Sequence, residues 1–356
     1  MSRKVSFAYD LLRNGGFYAR LRALVGTDPH IRVQADGQIK MAFTGRFFPY
    51  AEDVDGRPLP INWLTDEIQP WMIIDGASSP LGVYIPTTPS EFAVNANYGY
   101  IDIEAYDRNQ RMLETKTENL LYWPRGTLYL DAVEQLLSAA GITTVFKTPS
   151  EAVLTEARED WPIGTPLLDI ANELLGEINY QSLRFDLSGN AVLAPATEPD
   201  SSRILHTLSD ADPDTRVIPG LTRGVDTFNA PNVFVAVCAN PDKSDNMRAE
   251  AVNDNPQSPL SVQRRGRRIV QVTNLNNIAS QAELQAYVDR QRNDSLVGAE
   301  QLSVSTGLQP GWGVEDVVAL HYGNLHSICV SKGYDMELKV GGRMTHQLER
   351  VVYNIE

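Results

Sequence analysis

Two cysteines, five histidines and a few carboxylate doublets are the residues whose types could do chemistry. Cys238 and Cys329 each lie in an apolar, strand-like run, NVFVAVCAN and HSICVSK. A reactive or metal-binding cysteine needs a setting that favours the thiolate, and apolar runs oppose it. Both therefore read as small buried hydrophobes of a protein made in a reducing compartment. The histidines are scattered. His321 and His326 are five apart, which fits neither one face of a helix nor one face of a strand. No cysteine–histidine spacing matches a zinc site.

The doublets Asp66-Glu67 and Glu159-Asp160, and the run of Asp210, Asp212 and Asp214, could supply acid/base pairs or a cation site. A glycosidase needs two carboxyls at a defined separation across a cleft, which neighbouring residues do not specify. SDADPD, from Ser209 to Asp214, lacks the glycine and distal glutamate of a calcium loop and reads as a solvated linker. The chain has no nucleophile elbow, zinc-protease helix, phosphate loop or dinucleotide fingerprint. The expectation is a protein that is not an enzyme, with no catalytic residue, no metal and no cofactor.

RRGRR is the one strongly basic spot, and it contributes Arg264, Arg265, Arg267 and Arg268. A nucleic-acid patch would be larger and interleaved with aromatics. The net charge of −14 also argues against a protein that coats phosphate. Two readings stay open: a solvated turn or strand edge, or an inter-subunit contact in which guanidinium forks meet a neighbour's acids.

The elements that must position these residues are mostly strands. Residues 1–25 carry helix-like apolar spacing interrupted by Gly15-Gly16, and the spacing fixes no element there. IRVQADGQIKMAFTGRF alternates about Asp36-Gly37 and reads as a hairpin. WMIIDG, PLGVYIPTTP and YGYIDIEAYD are further strands between Gly, Pro and Asn breakers. WPRGTLYLDAVEQLL from Trp123 and WPIGTPLLDIANELL from Trp161 repeat one pattern 38 residues apart. Each predicts a tryptophan-anchored turn followed by a helix, with Thr127 or Thr165 as the cap and Pro166 at the first helical position. Gly141 ends the first helix. YQSLRFDLSGNAVLAP then gives two strands about Ser188-Gly189-Asn190. Strands resume in RVIPGLTRGVD, NVFVAV and RRIVQVTNL, and SQAELQAYVDRQRND is a helix capped by Ser280. LSVSTGL, VEDVVALHYG, HSICVSKGYDMELKVGG and MTHQLERVVYNI complete the strands, with a turn at Gly341-Gly342.

The chain has 356 residues, 42% hydrophobic and 21% charged, as expected for a globular protein of two or three domains. No apolar run is long enough to span a bilayer, and the N-terminal stretch lacks a secretory core, so no membrane anchor is expected. The fold class is α+β, mainly β. It comprises a first β-barrel domain over 1–120, an inserted small α/β domain with two similar helices over 121–200, and a second β-barrel domain with one helix over 201–356. An alternative division has some of the later strands completing the first barrel.

The order of these motifs resembles that of phage tail (baseplate) hub proteins: the late control protein D type and the N-terminal hub parts of tail-associated lysins. The resemblance rests on INWLTDEIQPWMIIDG with SPLGVYIPTTP, then IEAYDRNQRML, then the two Trp-Pro-x-Gly-Thr stretches. APNVFVAV, RRGRRIV, SQAELQAYVDRQ and LQPGWGVEDVVAL follow in the same order. The resemblance implies a ring-forming homotrimer with two similar barrels per subunit. Such a ring would join a six-fold tail tube or distal tail protein to a three-fold spike or tail fibre protein. Its lumen would pass the tape measure protein and later DNA, without specific DNA binding. Heterologous contacts of this kind close when the rotation allows, and an acidic lumen repels phosphate. The implied location is the virion tail tip, after synthesis in the bacterial host cytoplasm. The chain stops at Glu356 after barrel-like strands, so a peptidoglycan-cutting domain is expected on a separate chain. The competing readings are a cell-wall hydrolase built from dispersed carboxylates and a receptor- or carbohydrate-binding protein at the tail tip. Exposed aromatics would favour the latter, but Trp63, Trp71, Trp123, Trp161 and Trp312 all fall beside predicted core elements.

Overall fold

The computed structural model describes residues 3–24, 26–95, 98–197, 199–212, 217–224, 230–238, 247–275, 278, 280–297 and 300–351. Asp214 lies outside the described residues. The chain opens on a hairpin of β1 (Val5–Arg13) and β2 (Gly16–Ala23), whose turn residues Asn14 and Gly15 have φ of 53° and 76°. Two positive φ values give a turn whose twist matches the paired strands, and Asn-Gly reaches it at least cost. The helix-like spacing there has a different origin. The register shifts between Leu11 and Leu12, and the two consecutive leucines are both buried. A bulge of this kind breaks the two-residue alternation that marks a strand.

β3 (His30–Gln34) and β4 (Met41–Glu52) form the expected hairpin, with Ile31 opposite Phe43. β5 (Pro58–Leu59), β6 (Glu67–Ile74), β7 (Ala77–Pro80), β8 (Ile85–Pro86), β9 (Ser90–Asn95) and β10 (Tyr98–Tyr106) follow, and α1 (Asn109–Glu114) ends this part. Pairing runs β7–β6–β1–β2–β4–β10. The two ends approach each other through the single bridge of Ile68 with Tyr84 and the two-residue pairing of β8 with β10. No strand-length ladder closes the ring among the described residues. Tyr9, Phe43, Phe47 and Tyr84 pack inside, with ring centroids 5.1–6.0 Å apart.

The next stretch holds α2 (Tyr129–Ala139), β11 (Val145–Lys147), α3 (Leu167–Glu177), β12 (Arg184–Phe185) and β13 (Ala191–Leu193). The strands make a three-stranded sheet in the order β11-β13-β12. The two repeated stretches share the same turn and the same anchoring bonds. Gly126 and Gly164 take φ of 89° and 91°. Trp123 Nε1 donates to Gln135, twelve residues on, at 2.9 Å, and Trp161 Nε1 donates to Glu173, again twelve on, at 2.8 Å. The threonines are not helix caps. Their hydroxyls donate backwards to Pro124 and Pro162 carbonyls at 2.8 and 2.7 Å, which locks the turn. Pro166 precedes the first helical residue, and Gly141 follows α2 at φ 74°.

Arg158 joins the two copies. It is 2% exposed, and its backbone exchanges two hydrogen bonds with Trp123. Its guanidinium lies 4.6 Å from the Trp161 ring centroid and donates to Glu177 at 2.8 Å and Glu173 at 3.0 Å, and also to Asp160. Tyr129 donates to the same Glu177 at 2.8 Å. The two tryptophans meet edge to face at 5.5 Å.

A short 3₁₀ turn (Ser201–Arg203) leads into β14 (Ile204–Ser209), β15 (Val217–Gly224), β16 (Val233–Cys238), β17 (Met247–Val252), α4 (Val262–Arg265), β18 (Val270–Leu275) and α5 (Gln281–Val297). β19 (Gln301–Gly307), β20 (Val317–Tyr322), β21 (Leu325–Glu337) and β22 (Arg343–Arg350) complete the chain. The expected helix forms, with Ser280 Oγ accepting from Glu283 N at 3.1 Å. Residues 201–356 divide differently from one barrel with one helix. β16, β17 and β18 make a separate sheet covered by α5, with its own core of Phe234, Ala236, Cys238, Leu284 and Val288. The remaining strands extend the large sheet in the order β15-β19-β22-β21-β3, with β14 and β20 alongside β21. The first and last parts of the chain are thus one sixteen-stranded sheet among the described residues.

The seam of that sheet is the pairing of Gly333–Glu337 with His30–Gln34. A Cβ at Gly333 would lie 2.1 Å from the Val33 carbonyl oxygen, which is backbone and cannot swing aside. Gly333→Ala is expected to lower unfolding free energy by at least about 2 kcal/mol. Gly224→Ala, where a Cβ meets open space, serves as the neutral control. Urea unfolding followed by fluorescence reads both. Arg158→Ala strands a buried carboxylate and is expected to lose about 3–5 kcal/mol. A midpoint for Arg158→Ala equal to wild type would show that the packed tryptophans alone hold the two copies together.

Candidate interaction surface

The residues singled out for chemistry are mostly engaged inside the molecule. Asp66 and Glu67 are both buried and are bound to different arginines. Asp66 takes a two-pronged contact from Arg13 at 2.8 Å, while Glu67 is held by Arg108 at 2.6 Å and Arg111 at 3.1 Å. They do not face each other across a cleft. Asp160 is bound by Arg158. Asp210 caps a turn through Gly323 N at 2.8 Å. Cys238 and Cys329 are buried and not joined in a disulfide, and burial pushes the Cys329 thiol up to about 12. Among the described residues no three His, Cys, Asp or Glu groups converge on a metal position.

Two constellations have catalytic-looking partners but lack catalytic geometry. His346 Nε2 lies 2.9 Å from Thr306 Oγ1, yet that hydroxyl donates to the Gly307 carbonyl at 2.8 Å. Both residues are fully buried, and burial together with His206 pulls the His346 imidazole down to about 3. His206 lies 3.1 Å from Asp316 and stacks on Trp312 at 4.0 Å, so one face of its ring is taken up in packing. A cleft of about 740 Å³ lies where α3, α5 and the large sheet meet. Lys40, Arg184, Arg290 and Lys332 line it against Asp36, Asp289, Asp294 and Glu315, so its charges balance and select no sign of ligand.

The basic run is not a strand. Ser261 Oγ accepts from Arg264 N at 3.2 Å and starts the one-turn helix α4, which Gly266 ends at φ 63°. Arg264 donates to the Pro256 carbonyl at 2.8 Å, and Arg265 to the Ala230 carbonyl at 2.6 Å. Arg268 pairs with Glu250 at 2.6 Å, beside Arg248 on the same carboxylate. Glu250 is consequently held below its ordinary value. Buried Asn232 ties the loop down, accepting from Ile269 N at 2.7 Å and donating to the Arg267 carbonyl at 3.0 Å. The exposed Arg267 side chain has no ion-pair partner among the described residues. Of the four arginines read as a contact surface, two are therefore turned to their own backbone, and Arg267 and Arg268 remain outward.

The surface next to them was not visible in the sequence. β16 and β18 turn alternate residues away from α5, which leaves Val270 and Val272 52% and 58% exposed on the free edge strand. Val235 lies between them and β17 in register.

Asp107 is the buried acid that fixes the β4–α1 junction. Its carboxylate accepts from Lys40 N and Met41 N at 2.8 and 2.7 Å and from Asn109 N at 2.9 Å. Burial outweighs these bonds and pushes the carboxyl up from 3.8 to about 6. The folded protein then takes up this proton before the unfolded chain does. The group makes folding less favourable as pH rises through that window, and adds no further change above it. Urea midpoints of wild type and Asp107→Asn should therefore diverge in that sense between about pH 4 and pH 6. A gap constant across the window would mean the carboxyl titrates as an ordinary one.

No protein-family model matches the chain, and no curated protein matches it. Solved structures do. A tail protein from Neisseria meningitidis MC58 matches with a TM-score of 0.65 at 14% identity, covering 97% of this chain and 96% of its own. The 43 kDa tail protein of prophage MuSo2 from Shewanella oneidensis matches at 0.66 and 11% identity, over 96% of this chain and 98% of its own. An Escherichia coli component of the type VI secretion system, structurally similar to the T4 bacteriophage tail proteins gp27 and gp5, matches at 0.51 and 10% identity, over 98% of this chain and 76% of its own. The resemblance read from motif order is thus met in the fold: this chain is built, nearly from end to end, on the fold of phage tail proteins.

Proposed function

We propose that this chain is a structural hub protein at the tip or baseplate of a phage or phage-like tail. The observation that carries the proposal is coverage in both directions. Two tail proteins match over 96% or more of both chains, so the likeness is to a whole protein and not to one common module. In this reading the subunit assembles as a homotrimer whose two β parts act as barrel-like units in a ring of six. The ring joins the tail tube or distal tail protein to a spike or tail fibre protein. Its lumen passes the tape measure protein and then DNA, without sequence-specific contacts. Its role is assembly and symmetry matching rather than catalysis, and it acts at the virion tail tip after synthesis in the host cytoplasm. The outward Arg267 and Arg268, with the strip of Val270 and Val272, form a contact between subunits.

Light scattering of the purified protein over a range of concentrations tests this. The expected mass is 118.5 kDa, three times the 39.5 kDa chain. Arg267→Glu leaves every described internal ion pair in place and is expected to shift the mass towards one chain. A wild-type protein that stays at one chain and binds no tube or spike protein would overturn the hub reading. A trimer unchanged by Arg267→Glu would move the subunit contact elsewhere.

A further inference from the structure

The tip of the β20–β21 hairpin carries a feature that neither packing nor the tail reading uses. Its turn is Gly323-Asn324, with Gly323 at φ 57° and Tyr322 paired with Leu325. His321 and His326 are the next pair in register. Five positions apart in sequence, they become direct neighbours because the two-residue turn folds one strand back on the other. Opposed residues of an antiparallel pair hold their Cβ atoms about 5 Å apart on one face. Here the two Nδ1 atoms are 2.8 Å apart, with ring centroids 5.0 Å apart and planes at 52°. Leu320, Tyr322 and Leu325 pack with the core, while His326 is exposed and His321 half-buried. Asp210 braces the turn, its carboxylate accepting from Gly323 N at 2.8 Å and its own N–H donating to the His321 carbonyl at 3.1 Å. Among the described residues, neither imidazole has another side-chain partner.

We propose that His321 and His326 form a two-nitrogen chelate for a borderline divalent transition-metal ion, of the Zn²⁺, Ni²⁺ or Cu²⁺ kind. The two Nδ1 atoms already converge, one N–H donating to the other's lone pair at 2.8 Å; with the donor ring in its other neutral tautomer, its proton on Nε2, both Nδ1 lone pairs can reach one ion. A metal bond length of about 2.0–2.1 Å at a tetrahedral angle needs the nitrogens about 3.3 Å apart, a small opening of two exposed rings. Imidazole nitrogen suits these ions, whereas Mg²⁺ and Ca²⁺ require oxygen ligands. No third His, Cys, Asp or Glu group converges there among the described residues, so water fills the remaining positions on the isolated chain. The ion would pin the two strands together at the hairpin tip, replacing the weaker contact between the rings.

The test is calorimetric titration of untagged, chelator-stripped protein with NiCl₂, CuCl₂ and ZnCl₂, with MgCl₂ for comparison. The expected result is one ion per chain for at least one of the three transition metals and none for Mg²⁺. Affinity should weaken at least tenfold in both His321→Ala and His326→Ala and be unchanged in His30→Ala. Thermal unfolding supplies a second reading that does not depend on heats. Added NiCl₂ should raise the wild-type midpoint, EDTA should reverse the rise, and neither hairpin variant should respond. Without metal the His326→Ala midpoint should match wild type, which excludes misfolding as the cause of lost binding. Absence of one-to-one binding by all three ions would overturn the proposal, as would equal affinity in the hairpin variants.

Discussion

The backbone approach of β21 to β3 is the constraint on which the rest of the structure depends. Without it the molecule would be two β parts tied by a small α/β unit. With it, β4 reaches β22 through three successive ladders of one sheet. The approach requires a residue with no side chain at 333, and the seam is then reinforced on both flanks. Ala35 N donates to the Lys332 carbonyl at 2.8 Å, and Lys332 Nζ lies 2.9 Å from Glu315 and 3.6 Å from Glu349. A half-buried lysine between two acids keeps its charge, and its pKa is correspondingly raised. Charge therefore sits beside the seam as a clamp, on the wall of the cleft that α3 and α5 share with the large sheet.

The same economy places several of this acidic protein's carboxylates inside the fold. Asp66, Glu67, Asp107 and Glu177 are all buried, and each is held by arginine forks or backbone N–H groups. Buried carboxylates of this kind fix the geometry of junctions. Asp107 ties the β3–β4 hairpin to α1, and Glu177 ties α3 to the Arg158 crossing. The burial that raises Glu177 acts against Arg158 and the Tyr129 hydroxyl, both of which favour its charged form. This contest is tolerable only because the surrounding tryptophans exclude water from a fully bonded cluster.

Local pattern made much of this fold legible. The Trp-Pro-x-Gly-Thr repeat, the hairpins at Asp36-Gly37 and Gly341-Gly342, the strands about Gly189 and the Ser280-capped helix all form where their residues place them. These features are set by residues within a turn or two of each other. What was not legible is set at longer range. β16 alternates as a core strand should, but alternation does not say which strands lie beside it, and its partners are β17 and β18 rather than the large sheet. The Asn14-Gly15 turn was written plainly, but the bulge at Leu11-Leu12 gave consecutive buried leucines that obscured it. RRGRR by itself does not decide between a turn and a strand edge, because the run after it is a strand. Ser261 and Gly266 were the local signals for a one-turn helix. The His321–His326 pair was dismissed by spacing, since five residues match no regular face. Only the position of the turn makes them neighbours.

The two surfaces that result differ in how firmly the fold supports them. The histidine hairpin grows out of the sixteen-stranded sheet and shares its core through Leu320 and Tyr322. The strip of Val270 and Val272 sits on a three-stranded sheet whose separate core is half small: Ala236, Cys238, Ala249 and Ala251 against Phe234, Ile278, Leu284 and Val288. Hydrophobic stabilisation scales with apolar area removed from water, at about 25 cal/mol per Å². A core of this composition therefore supplies little of it, and the unit lies near the lower limit of what stands alone. Covering the two valines with a neighbouring subunit would remove apolar surface at the edge where the unit is weakest. In the proposed ring, contact and local order would then rise together.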